Sequence, residues 1–210
     1  MKKLFLASMF SDVADLLRIF VGEDLSGKSV TFIPTASVPE KVKFYVGAAR
    51  KAFNKSGIIV DELDLLTASH DEILNKLKTN DYIYISGGNT FFLLQELRRT
   101  GADKLIIEQI NSGKCYIGES AGSMILSPNI EYVKYMDEIK EAPGLSEYAG
   151  LSVVDFYPVP HFKNFPFAKA VEKIISIYDS ELNLYPISNH QVILVDGDTI
   201  IIENQQKETH

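Results

Sequence analysis

The run Cys115-Tyr116-Ile117-Gly118-Glu119-Ser120-Ala121-Gly122-Ser123-Met124-Ile125-Leu126 carries most of the information in this chain. Its first residues read as a strand and its last as the start of a helix. The five between, Gly118 to Gly122, fit G-x-S-x-G. Strand, tight turn and helix in that order form a nucleophile elbow. The turn strains the serine so that its Oγ projects clear of the backbone, and small residues on either side let strand and helix pack closely. The helix N-terminus behind the serine favours developing negative charge. A plain glycine turn with a capping serine fits the five residues alone; the flanking strand and helix favour the elbow.

Working outward, the same rhythm runs through the first 125 residues or so. Strands are expected at Leu4–Ser8, Ser29–Ile33, Ile58–Leu63, Asp81–Ser86 and Lys114–Glu119. Between them, apolar residues recur at helical spacing over Asp12–Phe20, Lys41–Asn54, His70–Lys78 (with Ser69 as cap), Thr90–Arg99 and Ala102–Ser112. Alternating strands and helices imply βαβ units and a mostly parallel sheet covered on both faces. The C-terminal part differs. Gln191–Val195, Asp196-Gly197-Asp198 and Thr199–Glu203 form a hairpin signal, because Asp-Gly supplies the positive φ of a tight turn. The acidic stretch 129–150 has no clean periodicity and reads as a loop that shapes or covers a site. The whole, 1–210, reads as one domain.

Composition narrows the function. The net charge of −7 repels nucleic acid and anionic membrane surfaces, so neither is an expected partner. The single cysteine, Cys115, excludes an internal disulfide framework and a four-cysteine zinc site. No segment approaches the length of a spanning helix, and the N-terminal apolar run meets Asp12 and Asp15 where a cleavage site would fall. A cytoplasmic protein is expected, as a monomer or homodimer.

In an open α/β sheet, ligands bind at the carboxyl ends of the strands. Besides the elbow, two sequences fall there. Ser86-Gly87-Gly88-Asn89-Thr90 follows one strand. Its glycines let backbone N–H groups approach a ligand. Three readings fit: an oxyanion donor from the Gly88 N–H paired with that of Ala121, a phosphate cradle that lacks the third glycine and the lysine, and a plain turn with a helix cap, which the stretch taken alone favours. A serine also needs a base, and the chain has four histidines. His210 is the last residue. His70 lies among acidic residues in a helix first turn. His190 precedes the strand Gln191–Val195, which places it at an amino end, away from the site. His161, in Tyr157-Pro158-Val159-Pro160-His161-Phe162, follows an expected strand at Leu151–Phe156 and is the base by elimination. The group that orients it is sought between serine and histidine. Glu131, Asp137, Glu138, Glu141, Glu147 and Asp155 all qualify; Asp137 is favoured, and Asp155 falls inside the expected strand.

Taken together, these pieces resemble the peptidase E family of serine peptidases, the aspartyl dipeptidases, with cyanophycinases as wider relatives. The matching residues are Phe32-Ile33-Pro34-Thr35-Ala36-Ser37, Gly87-Gly88-Asn89-Thr90-Phe91, Gly118-Glu119-Ser120-Ala121-Gly122 and Pro160-His161-Phe162, in that order. The resemblance implies a flavodoxin-like α/β/α sandwich related to class I glutamine amidotransferases. It implies Ser120 as nucleophile, His161 as base, Gly88 and Ala121 as oxyanion donors and Asn89 near the substrate. Its acid matches Asp137 best, with Glu138 in reserve. The aspartyl dipeptidases hold the substrate's aspartate with an arginine shortly after Pro-His-Phe. Here Lys163-Asn164-Phe165-Pro166-Phe167-Ala168-Lys169 follows, and no arginine occurs beyond Arg99. Lysine does not reproduce bidentate guanidinium geometry, so strict Asp-X specificity is not expected.

The expected activity is hydrolysis of a small peptide or amide through an acyl-enzyme, with no metal or cofactor. Two other readings stay open: an ester or branched-amide hydrolase like the cyanophycinases, and a non-catalytic binder of small molecules on the same fold. An amidotransferase reading is poor, because Cys115 lies before the turn rather than on it.

Overall fold

The computed structural model describes residues 1–205, so His210 lies outside the described residues. In chain order the elements are β1 (Lys3–Ala7), α1 (Phe10–Val13), α2 (Asp15–Val21), β2 (Ser29–Ile33), α3 (Phe44–Lys55), β3 (Ile59–Glu62), α4 (His70–Thr79), β4 (Tyr82–Ile85), α5 (Thr90–Thr100), α6 (Ala102–Asn111), β5 (Cys115–Glu119), α7 (Ala121–Met124), β6 (Tyr157–Val159), α8 (Ala168–Tyr178), β7 (Leu184–Pro186), β8 (Gln191–Asp196) and β9 (Thr199–Asn204). Seven strands form one sheet in the order β3-β2-β4-β5-β1-β8-β9. The first five run parallel. β8 is antiparallel to β1 and β9 to β8, so the expected C-terminal hairpin extends the sheet.

Strand alternation divides the core in two. Phe5, Phe32, Tyr84 and Ile117 face one side, where they meet Phe10, Leu17 and Phe53 from α1, α2 and α3. Leu6, Ile33, Ile85 and Tyr116 face the other, against residues of α4, α5, α6 and α8 such as Leu77, Leu97, Ile106 and Ile174. Burial on both faces explains why these strands read as near-continuous apolar runs. Phe10, Phe32, Phe53 and Tyr84 form an aromatic cluster, with Phe10 stacked on Phe53 at 4.3 Å and Phe32 on Tyr84 at 4.6 Å. The layers are therefore helix, sheet and helix, as expected. No helix among the described residues is long and apolar enough to cross a membrane.

Two expectations need correction. Residues 151–156 are not a strand. Their backbone N–H groups donate to carbonyls just past α7, Leu151 to Ile125 and Val153 to Leu126, so no ladder is available to them. The strand there is β6, which begins directly after this segment at Tyr157, and it pairs in parallel with β7 in a separate two-stranded sheet. The helix expected at Asp12–Phe20 is interrupted at Ala14, which separates α1 from α2. The 129–150 stretch holds two short 3₁₀ helices, at Glu131–Tyr135 and Ile139–Glu141. It is fastened to α5: Arg98 donates to the Glu147 and Ala149 carbonyls, and Asn89 Nδ2 to the Glu138 carbonyl at 3.0 Å.

Candidate active site

The elbow forms at the carboxyl end of β5. Ser120 has φ 49° and ψ −104°, a conformation that costs on the order of 1–3 kcal/mol and persists only where surroundings enforce it. Two features do so. The Ser120 N–H donates to the Ala7 carbonyl of β1 at 2.9 Å. The two glycines allow a backbone approach that no other residue permits: a Cβ on Gly122 would lie 2.2 Å from the Ile85 carbonyl oxygen, and one on Gly118 2.6 Å from that of Gly122. The glycines of G-x-S-x-G thus set the spacing between β4, β5 and α7.

His161 reaches the serine from the loop after β6. Its Nε2 lies 3.0 Å from Ser120 Oγ. Its own φ is 65°, and its N–H donates to Ser8 Oγ at 3.1 Å, which in turn donates to the Ile187 carbonyl. The imidazole stacks on Phe167 at 4.8 Å. Burial holds its pKa below 6.5, against a smaller upward pull from a hydrogen bond to Asn189. So the ring is neutral near pH 7.

Sequence reasoning did not anticipate that partner. His161 Nδ1 lies 2.8 Å from Asn189 Oδ1. The asparagine oxygen accepts, so Nδ1 carries the proton and Nε2 presents its lone pair to the serine hydroxyl. Asn189 is held by its own N–H, which donates to Asn164 Oδ1 at 2.9 Å. It precedes β8, and β8 is antiparallel to β1. The amino end of β8 therefore lies at the carboxyl ends of the parallel strands. By the same geometry His190 stands on the site's side of the sheet, with Nδ1 3.7 Å from Asp12 Oδ2, which corrects its placement away from the site.

Asp137 does not meet His161. Its Oδ2 accepts from the Thr90 N–H at 2.8 Å and from Thr90 Oγ1 at 2.6 Å, at the start of α5. Burial raises its pKa to about 7 in spite of those bonds, and nearby Glu40 adds to the rise. Glu138, the reserve, is exposed and pairs with Lys140. Asn89 spends its side chain on the fold: Oδ1 caps α5 through the Phe92 N–H at 2.9 Å while Nδ2 holds Glu138. Gly88 has φ 134°, and a Cβ there would lie 2.1 Å from the Ala36 carbonyl oxygen. Ala121 is the first residue of α7, so its N–H has no partner within the helix.

A buried carboxylic acid also stands directly before the serine. Glu119 accepts hydrogen bonds from the Phe10 N–H at 3.0 Å, from the Gly87 N–H and from the Tyr84 hydroxyl. It joins the loops that follow β1 and β4 to β5. Its burial raises its pKa to about 7.

Ser120, His161, Asn189, Gly87, Gly88 and Asp137 all line one cavity of about 440 Å³. Met9, Val42, Phe44, Tyr45, Met136, Phe165 and Phe167 supply its apolar wall. Lys163 and Lys169 lie outside the lining, as do all the arginines. Cys115 is buried at the opposite end of β5, its thiol pushed up to about 12 by burial, far from a reactive state. Among the described residues no three His, Cys, Asp or Glu side chains stand together as a metal-binding group.

A parallel α/β sheet with a strained serine and a histidine at its carboxyl edge has the features of a hydrolytic enzyme. Comparison with known proteins makes the class definite: the chain belongs to peptidase family S51, whose model matches residues 4–203. It is therefore a peptidase, a hydrolase, and the resemblance to peptidase E holds. It is 59% identical over 207 residues to an uncharacterized peptidase of Pasteurella multocida (strain Pm70), covering 99% of this chain and 100% of that one. A second uncharacterized peptidase, from Listeria monocytogenes (serovar 1/2a, strain ATCC BAA-679 / EGD-e), is 54% identical over 201 residues, 96% of this chain and 98% of its own. A crystal structure of a candidate peptidase E protein from Listeria monocytogenes EGD-e superposes with a TM-score of 0.94 at 52% identity, covering 98% of this chain and 100% of that one.

Proposed function

We propose that the protein is a serine-type peptidase that cleaves small peptides or amides through a Ser120–His161–Asn189 relay. The observation that carries this reading is the pair of contacts on one imidazole: 3.0 Å from Nε2 to Ser120 Oγ and 2.8 Å from Nδ1 to Asn189 Oδ1. Asn189 fixes the tautomer. Neutral Nε2 takes the proton as Ser120 Oγ attacks the carbonyl carbon. The oxyanion is met by the N–H groups of Gly88 and Ala121, with the positive end of the elbow helix behind it. His161 then returns the proton to the leaving amine, and the acyl-serine forms. A water attacks that ester, with His161 again as base, and releases the acid.

Asn189 replaces the carboxylate that the sequence led us to seek. An amide orients the ring as a carboxylate does, but it offers the imidazolium no counter-charge. That agrees with a histidine held below its ordinary pKa. The cavity of about 440 Å³ suits a substrate of a few residues rather than a protein chain. Such small substrates, and the lone buried thiol, fit a cytoplasmic enzyme.

The test is a fluorophosphonate probe applied to the protein and to Ser120→Ala, with the adduct mapped by mass spectrometry. A single adduct on Ser120, absent from the variant, is expected. No adduct under conditions that label a control hydrolase overturns the reading. A panel of dipeptides, amides and esters then assigns the scissile bond.

A further inference from the structure

We propose that the cavity selects substrates carrying a cationic group, an ammonium or a guanidinium, and that Glu40 and Asp137 are the residues that meet it. The proposal rests on the serine-peptidase reading and names its substrate class.

The cavity wall holds four carboxylates, Asp12, Glu40, Glu119 and Asp137, and no lysine or arginine among the described residues. Two of the four are already engaged. Glu119 is saturated by donors from three elements. Asp12 faces His190. The other two keep acceptor capacity. Asp137 is bonded through Oδ2 alone, which leaves Oδ1. Glu40 is influenced by burial, by Glu141 and by Lys43, and no hydrogen bond offsets the cost of burying it. Lys43, the nearest cation, spends its ammonium on the Val38 carbonyl at 2.9 Å.

Tyr45 is a separate observation at the same place. Its hydroxyl is enclosed and makes no hydrogen bond to any described group. Burial first, and then the charges of Glu40, Glu119 and Asp137, hold it in the protonated form. The ring and the nucleophile both flank Gly87: a methyl on Gly87 would be 3.3 Å from Ser120 Cβ and 3.5 Å from the Tyr45 ring. A phenol oxygen under the influence of these carboxylates adds an acceptor for an N–H donor. Val42, Phe44 and Met136 supply apolar contact for an alkyl stem.

The consequence is a difference between ligands. A cation entering this low-dielectric space is drawn by every nearby charge. A carboxylate side chain meets the same charges as repulsion, with no guanidinium to receive it. The site is thus the electrostatic inverse of one built for aspartate.

Titration calorimetry on Ser120→Ala separates binding from turnover. Four ligands suffice: Nα-acetyl-norleucyl-alaninamide, which is neutral; norleucyl-alaninamide, with an α-ammonium; Nα-acetyl-lysyl-alaninamide, with a side-chain ammonium; and Nα-acetyl-aspartyl-alaninamide. At least one cation is expected to bind about tenfold or more tightly than the neutral ligand, and whichever does identifies the source of the charge. The aspartyl ligand is expected to bind more weakly than the neutral one. Glu40→Gln in the same background should cut the cation-to-neutral ratio by about threefold or more. Affinities that ignore charge, or an aspartyl ligand that binds as well as the cations, overturn the proposal. The fluorophosphonate experiment keeps the two readings apart. Ser120 labelled without charge selection defeats this proposal and leaves the peptidase reading; an unlabelled Ser120 defeats both.

Discussion

Replacing Asn189 by aspartate tests the relay more sharply than deleting it. The change keeps size and acceptor and adds one negative charge. With Oδ1 2.8 Å from His161 Nδ1, the centres of the carboxylate and of a protonated imidazole would stand about 4 Å apart. At an effective dielectric constant of about 20 their attraction is about 4 kcal/mol. Burying the new carboxylate takes back a large part of that. A net gain of about 1.4–2.8 kcal/mol raises the histidine pKa by about one to two units. In the native protein that pKa lies below 6.5; in Asn189→Asp it moves up by that amount.

The sign follows from the base's role. Only the neutral ring accepts the serine proton, so reactivity rises with pH through the histidine pKa. The acid limb of reactivity should therefore move to higher pH in the variant by about one to two units relative to the native protein. The assay is the second-order rate of fluorophosphonate inactivation of Ser120 between about pH 5 and about pH 9, which needs no knowledge of the substrate. Asn189→Ala serves as control: reactivity falls by about 10²-fold or more through loss of the tautomer, without an upward move of the acid limb. An Asn189→Asp limb that stays in place, or a fully reactive Asn189→Ala, refutes the role given to Asn189.

Two further predictions concern the scaffold. Gly122→Ala puts a methyl 2.2 Å from the Ile85 carbonyl oxygen, so β4 and α7 must part. A loss of about 1–3 kcal/mol or more is expected in urea denaturation, together with loss of probe labelling; an unchanged midpoint refutes the tight approach. Glu119→Gln concerns pH. The folded state raises this group from its ordinary 4.5 to about 7, so the native protein holds the proton more tightly than the unfolded chain. Its contribution is complete below pH 4.5 and is lost as pH rises to about 7. At 1.36 kcal/mol per unit the native protein should lose about 3 kcal/mol relative to Glu119→Gln between about pH 4.5 and about pH 8. Parallel stability curves for the two proteins would show that Glu119 titrates normally.

Much of the fold was legible because local signals agreed with tertiary ones. Ser29–Ile33 is β-branched and ends at a proline, and it is β2 to the residue. Ser69 reads as a cap, and its Oγ accepts from the Glu72 N–H at 3.2 Å. Asp196-Gly197-Asp198 reads as a hairpin turn, and Gly197 has φ 61°. The segment 151–156 misled because its apolar run resembles a strand while its hydrogen bonds go to the turn after α7. Apolarity reports burial, and burial does not require a ladder.

The site divides along the same line. Ser120 and His161 announce themselves by residue type and by place after a strand, and the structure brings them together. Asn189 announces itself by neither. Asparagine is an ordinary residue before a strand, and a search for a carboxylate between serine and histidine passes over it by chemistry and by position. What would have found it is topology. A strand pair joined by Asp-Gly must be antiparallel, and an antiparallel strand added beside a parallel one enters the sheet at the edge where its neighbour ends. The residues before β8 therefore belong to the same edge as those after β1, β4 and β5. Ser8 after β1 supports the backbone of His161, and Asn189 before β8 supports its ring. The hairpin that closes the sheet thus also orients the base.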